Sequence, residues 1–252
     1  MKKILLRKFL TPLLVLFLIS PIISCSKKEE KSNAESSYTK AMKSLKNKSY
    51  TEAAEAFAKI EDEFPFSKWA IKGQTMATYA YYKAEDRTKL LQITDDFLRL
   101  NPASEYVPYM MYMKGLSYYD IIPEIDRAQD NTQQASFIFR ELIARFPNSE
   151  YAIDAKEKLG YVDEHLAAAK MSVGRYQIKT RNFVGAINNF TEVTRRYRAT
   201  EQTPEAFFRL VEIYYKLGMK KESLNAYKKL QSLPAKNNWI TLANKIDPDL
   251  FE

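Results

Sequence analysis

The chain has 252 residues, 46% of them apolar, with 39 Lys plus Arg against 31 Asp plus Glu and a formal charge of +8. That is enough apolar material for one or two cored domains, and it excludes a disordered or collagen-like chain. One Cys and one His exclude an internal disulfide and a Cys/His zinc site, while the positive excess points to nucleic acid or anionic membrane only if those cations cluster in the working part of the chain.

They begin at the N-terminus. Residues 1–24, MKKILLRKFLTPLLVLFLISPIIS, set Lys2, Lys3, Arg7 and Lys8 ahead of an apolar stretch from Phe9 to Ile23. A membrane span needs about 20 apolar residues; this stretch has 15, interrupted by Thr11, Pro12, Ser20 and Pro21. The pattern predicts a cleaved secretory signal. Its four cations leave with it, so the remainder carries 35 basic against 31 acidic side chains, or +4. Cys25, the only Cys, stands directly after Ser24 and resembles the lipobox cysteine of bacterial lipoproteins, which is acylated on sulfur and again on its amine once it becomes the N-terminus. Three acyl chains anchor firmly where one myristoyl chain binds marginally. By the lipoprotein sorting rule, Ser26 rather than Asp after the Cys implies the outer membrane. The charged, Ser-rich run that follows predicts a flexible linker over 25–36.

From there a helix-pair repeat emerges. Phe64-Pro65-Phe66-Ser67, Asn101-Pro102-Ala103-Ser104 and Phe146-Pro147-Asn148-Ser149 each precede an aromatic and a new helical stretch. Between Ala34 and Ser67, residues Ala41, Tyr50, Ala53, Phe57 and Pro65 fall at offsets resembling the tetratricopeptide repeat, a 34-residue helix-turn-helix. Small residues let two helices approach, an aromatic fills the gap to the next, and proline stops the second helix. The spacing returns as Ala135, Phe139 and Pro147, as Ala186 and Phe190 with Arg198 in the proline position, and more weakly as Ser223, Tyr227 and Pro234. Ser49-Tyr50-Thr51-Glu52 reads as a capping box, Thr203-Pro204 as an N-cap followed by proline, and Gly218 as a helix C-cap. The proline-to-proline interval grows to 45 residues across Asp120 to Asp130, predicting an inserted loop, and the next interval holds an unbroken helical pattern from Glu150 to Thr180. With no sustained period-two alternation, the prediction is all-α: a solenoid of about five helix pairs, repeats 1–3 over 37–149 and repeats 4–5 over 150–252, the latter entered by a long helix.

The segment Arg145 to Thr200, the lipobox, the Tyr50-x-x-Ala53 repeat, the Asp120 to Asp130 loop and the Leu166-Ala167 to Arg175-Tyr176 helix together resemble the BamD (ComL) family of outer-membrane lipoproteins. Lys170, Gln177 and Arg198 depart from its pattern, the last predicting a looser repeat end. The resemblance implies a periplasm-facing, lipid-anchored scaffold of the β-barrel assembly (BAM) complex. Its partners would be the POTRA region of a BamA-like insertase, docked on the C-terminal repeats, other BAM lipoproteins, and unfolded β-barrel outer-membrane proteins received by the N-terminal repeats. The alternatives are another periplasmic repeat adaptor of envelope biogenesis and a cell-wall hydrolase on a helical solenoid.

Tyr79, Tyr81, Tyr82, Tyr109, Tyr112, Tyr118 and Tyr119 cluster in two first helices, mostly as packing residues. Tyr38, Met42, Tyr79 and Tyr82 fall at inward repeat positions and are the candidates for client contact, since Met and Tyr suit an adaptable peptide surface. Arg195 and Arg196 are the candidates for gripping an acidic patch of the insertase. No catalytic residue, metal site or cofactor is expected: His165 is followed and preceded by residues that point in other directions on a helix, the carboxylate runs Glu61-Asp62-Glu63 and Asp95-Asp96 read as solvated faces, and no phosphate loop, HExxH or nucleophile elbow occurs. No nucleic-acid-binding motif occurs either.

Overall fold

The computed structural model describes residues 26–65, 67–234 and 238–251, with side chains from Asn33 onward. The signal segment, Cys25 and Phe66 lie outside the described residues. Ten helices run as five antiparallel pairs: α1 (Ser26–Lys46) with α2 (Tyr50–Glu63), α3 (Lys68–Lys83) with α4 (Arg87–Leu100), α5 (Val107–Tyr119) with α6 (Asp130–Arg145), α7 (Glu150–Lys179) with α8 (Phe183–Arg196), and α9 (Thr203–Lys216) with α10 (Lys220–Gln231). Short helices α11 (Asn238–Asn244) and α12 (Pro248–Phe251) follow. Each helix packs on the next, and α1, α3, α5 and α7 also touch in series. The result is an all-α solenoid with the first helices lining one face.

The turns within pairs share one device. In the first, second, fourth and fifth pairs the chain leaves the first helix through a left-handed residue, Lys48 (φ 63°), Glu85 (φ 59°), Arg181 (φ 62°) and Gly218 (φ 75°). At Gly218 its N–H bonds Tyr215 O and the Met219 N–H reaches back to Tyr214 O, the paired hydrogen bonds of a Schellman turn. The Gly218 cap is therefore as the sequence suggests, but the three non-glycine versions are invisible to a search for glycine. In the third pair, residues 120–129 replace this turn with the inserted loop, held by the contact of His165 Nε2 with Pro123 O at 2.7 Å.

The proline motifs between pairs gain a second meaning. Ser67 and Ser149 are N-caps, their hydroxyls accepting from Ala70 N and Ala152 N, each at 3.1 Å. Ser49 sits at the N-cap of α2 but makes no side-chain cap bond, so the capping box is not formed. Thr203 is the first residue of α9 rather than its cap, and its hydroxyl donates to Tyr197 O at 3.0 Å. With Thr200, which donates to the same carbonyl at 2.7 Å, and with Glu164 accepting from Glu201 N and Gln202 Nε2 at 2.8 and 3.0 Å, this firms the repeat end that Arg198 was expected to loosen. The linker also differs from expectation: α1 begins at Ser26 and runs through residues 26–36. Lys and Glu there are good helix formers, and a helix already nucleated on the packed Ala34 and Ala41 propagates outward at little cost.

Core packing follows a lock between the two helices of a pair. Phe57, Phe139 and Phe190 are fully buried second-helix aromatics. A Cβ on Gly115 would stand 2.5 Å from the Phe139 ring, and one on Gly174 2.6 Å from the Phe190 ring, so only glycine lets those rings lie flat on the first helix. The second pair trades sizes, with buried Leu90 in the alanine position and buried Thr94 in the aromatic position. That exchange of volume removes the Ala–Phe spacing from the second pair, which the Pro102 motif alone marks as a repeat. At the far end, Phe251 packs on Tyr227 (4.9 Å) and Trp239 on Phe208 (5.1 Å), closing the last pair.

Candidate functional site

The first-helix face carries a row of aromatics that crosses four pairs. Tyr38 of α1 meets Trp69 of α3 at 4.9 Å and Phe57 at 5.2 Å. The Lys68 and Lys72 ammoniums stand 5.1 and 5.2 Å from the centre of the partly buried Trp69 ring, a cation–π arrangement. Farther along, Tyr109 of α5 meets Tyr151 of α7 at 5.5 Å and Tyr112 meets it at 5.6 Å. Burial pushes the Tyr109 hydroxyl well above the usual tyrosine range, with nearby Tyr151 and Tyr79 adding to it.

Two tyrosine–carboxylate bonds tie successive first helices together. The Tyr82 hydroxyl donates to Asp120 Oδ2 at 2.7 Å, and the Tyr112 hydroxyl to Asp154 Oδ2 at 2.6 Å. Burial and the Asp120 bond push Tyr82 up to about 12. Burial raises the Asp154 carboxyl, but the bonds from Tyr112 and Lys158 outweigh it and leave it below the usual carboxylate range.

The four sequence candidates for the groove thus divide. Tyr79 is exposed, at 39%, and open to a ligand. Tyr38 and Met42 are partly buried against the first core cluster, and Tyr82 has its hydroxyl engaged by Asp120. Sequence reasoning did not name Trp69 or Tyr151, and placed Tyr109 in a cluster read mostly as packing. The signal for Trp69 was its place two residues after the N-cap Ser67, and for the tyrosines a spacing of one helical turn between neighbours on one face.

At the end of α8 the two arginines also differ. Arg196 Nη1 pairs with Glu192 at 3.2 Å, and Glu192 in turn holds Lys170 at 2.9 Å, so the departure at Lys170 has a partner in its own pair. Arg195 is exposed and makes no ion pair among the described residues. Beside them a cleft between α6, α7 and α8 is lined by exposed Phe137, by Arg140, Lys170, Glu192 and Arg196, and by buried Tyr197. Arg140 grips Asp163 of α7 through both carboxylate oxygens. Gln177, the other departure, accepts from Asn189 Nδ2 at 2.9 Å and closes over Gly185. Among the described residues no group of three or more His, Cys, Asp or Glu could hold a metal ion, and no helix is long and apolar enough to cross a membrane.

Repeat geometry and the aromatic first-helix face define a tetratricopeptide-type solenoid scaffold. The profile of the YfiO family, described as outer membrane lipoprotein, matches residues 30–230, and the chain belongs to that family. It is 34% identical over 222 residues to the outer membrane protein assembly factor BamD of Rickettsia prowazekii, covering 86% of this chain and 88% of that protein. It is 33% identical over 186 residues to BamD of Caulobacter vibrioides, covering 74% of this chain and 61% of that one. To BamD of Haemophilus influenzae it is 30% identical over 222 residues, covering 84% and 85%.

Proposed function

We propose that the chain is a lipid-anchored assembly factor for outer-membrane β-barrel proteins, acylated at Cys25, and that it works by holding rather than by chemistry. The observation that carries this reading is the aromatic row on the first helices of a chain from this family. An extended client segment laid along it meets exposed Tyr79, flanked by the partly buried Trp69, Tyr109 and Tyr151, with Lys68 and Lys72 at one end. Rings supply adaptable apolar contact and tyrosine hydroxyls bond backbone groups left open in an unfolded chain. Arg195, an exposed cation at the end of α8 without an ion pair among the described residues, is the contact for an acidic patch of a BamA-like insertase. Tethering client and insertase on one scaffold raises their mutual concentration.

Purification of the full-length chain from detergent-solubilised envelope tests the assembly role: recovery of an insertase bearing POTRA repeats is expected, and its absence from an intact, acylated preparation refutes the reading. A photo-crosslinking residue at position 79 should capture unfolded barrel clients more than one at the exposed second-helix position 92.

A further inference from the structure

The surplus positive charge of the mature chain has a definite address. The turns of the fourth and fifth pairs, residues 176–184 and 216–222, carry Lys179, Arg181, Lys216, Lys220 and Lys221 against Glu222 alone. That surplus of four equals the whole surplus of residues 25–252, 35 basic against 31 acidic, so the rest of the mature chain is balanced. All five cations are exposed and none forms an ion pair among the described residues, whereas Arg140, Arg175 and Arg209 are paired. Lys216 Nζ lies 5.2 Å from the centre of the Phe183 ring, which joins the two turns into one surface.

Apolar side chains are interleaved with this charge: Val184 is 71% exposed, Tyr176 66%, Leu217 44% and Met219 39%. The fold does not require them. At the equivalent N-caps, Asp86 and Asn182 accept a bond from the following helix, while Met219 makes none. A cap given up for an exposed thioether, beside unpaired like charges that repel one another, is the signature of a surface completed by something else.

We propose that this edge docks an acidic protein segment bearing apolar side chains, at a surface separate from the Arg195–Arg196 end of α8. Geometry favours protein over bilayer. Helix α1 starts at Ser26, next to the acylated Cys25, and its 21 residues carry the chain about 30 Å away to Lys46. The turns within pairs lie at the Lys46 end of the parallel first helices, so the edge stands about one α1 length from the anchor point. That last step rests on acylation at Cys25, which the intact mass of the mature chain reports independently.

The test places a photo-crosslinking residue at position 184 or 219 of the full-length chain in its native envelope and sequences the captured segment. A net acidic segment is expected. Its yield should fall about tenfold when Arg181, Lys220 and Lys221 are all changed to Glu, and fall in the same direction with the gentler K220Q/K221Q pair, since steering and register depend on those charges. Adducts to phospholipid, capture of a neutral or basic segment, a yield no higher than from the exposed second-helix position 92, or a yield unchanged in a K220Q/K221Q variant of native circular dichroism would each overturn the proposal.

Discussion

Replacing Gly160 and Gly174 by alanine makes the same chemical change in the same helix, α7, yet only the first should stabilise. Alanine in a helix interior is favoured over glycine by about 1 kcal/mol at either position. At Gly160 an added Cβ meets nothing within 4 Å, so that gain is kept whole. At Gly174 the Cβ would stand 2.6, 3.1 and 2.7 Å from Cε1, Cδ1 and Cζ of Phe190, a fully buried ring with no free volume to retreat into. Forced overpacking of this kind costs about 1–3 kcal/mol. G160A should therefore stabilise by about 1 kcal/mol, and G174A should come out neutral to about 2 kcal/mol destabilising. Propensity cancels between the two variants, so their difference isolates the contact. Urea unfolding of the unacylated chain, followed by circular dichroism at 222 nm, measures both, and a difference of about 1 kcal/mol amounts to some 2–4 °C in a parallel thermal scan. Equal shifts of the same sign would refute the claim that the α7–α8 interface is locked at this glycine.

Glycine at the left-handed turn positions Lys48, Glu85 and Arg181 should stabilise by about 0.5–1 kcal/mol each, because relief of the Cβ clash outweighs the added chain entropy; thermal unfolding of the single variants checks this. His165→Ala should free the inserted loop without unfolding the repeats, read as faster hydrogen exchange confined to residues 120–129, and unchanged exchange there would show that the contact with Pro123 holds nothing. Tyr82 predicts an alkaline limit: its folded value of about 12 lies above the ordinary 10, so the folded state keeps a proton that the unfolded chain has lost, and stability falls as pH rises from 10 through 12. The Tyr82→Phe variant should lose a late-ionising step in the absorbance titration at 295 nm. Arg195→Glu should weaken recovery of the insertase while Arg196→Glu, which first breaks an internal pair with Glu192, should also lower stability; recovery unaffected by the Arg195 change would remove that residue from the interface.

Helix existence and order were legible because the repeat writes them twice, once in the Ala53–Phe57 type of spacing and once in the Phe-Pro-x-Ser punctuation. Long helix α7 was visible as an uninterrupted pattern, and the loop after α5 as a broken interval. Three kinds of feature were not. Turns through Lys48, Glu85 and Arg181 carry no glycine, since hydrogen bonds from the neighbouring helix ends hold a conformation these residues do not favour on their own. The second pair hides its repeat by exchanging large and small residues between two positions that share one space. The groove residues were only partly legible: tyrosines of α5 and α7 have the same spacing whether they fill a core or line a face, and only the path of the neighbouring helices separates the two.

Helix α7 also sets a mechanical limit. Its 30 residues make a rod about 45 Å long. Tyr151 and Asp154 at one end belong to the packing of the third pair, while Gly174 and Gln177 at the other belong to the fourth. Both halves of the solenoid are thus fastened to a single beam. A tilt of about 10° imposed at the Lys179 end of this rod would carry its Glu150 end through roughly 8 Å, as a lever arm of that length requires. Occupation of one end is then felt at the other as a displacement of the groove, with no joint in between to absorb it except the exposed, uncontacted Gly160.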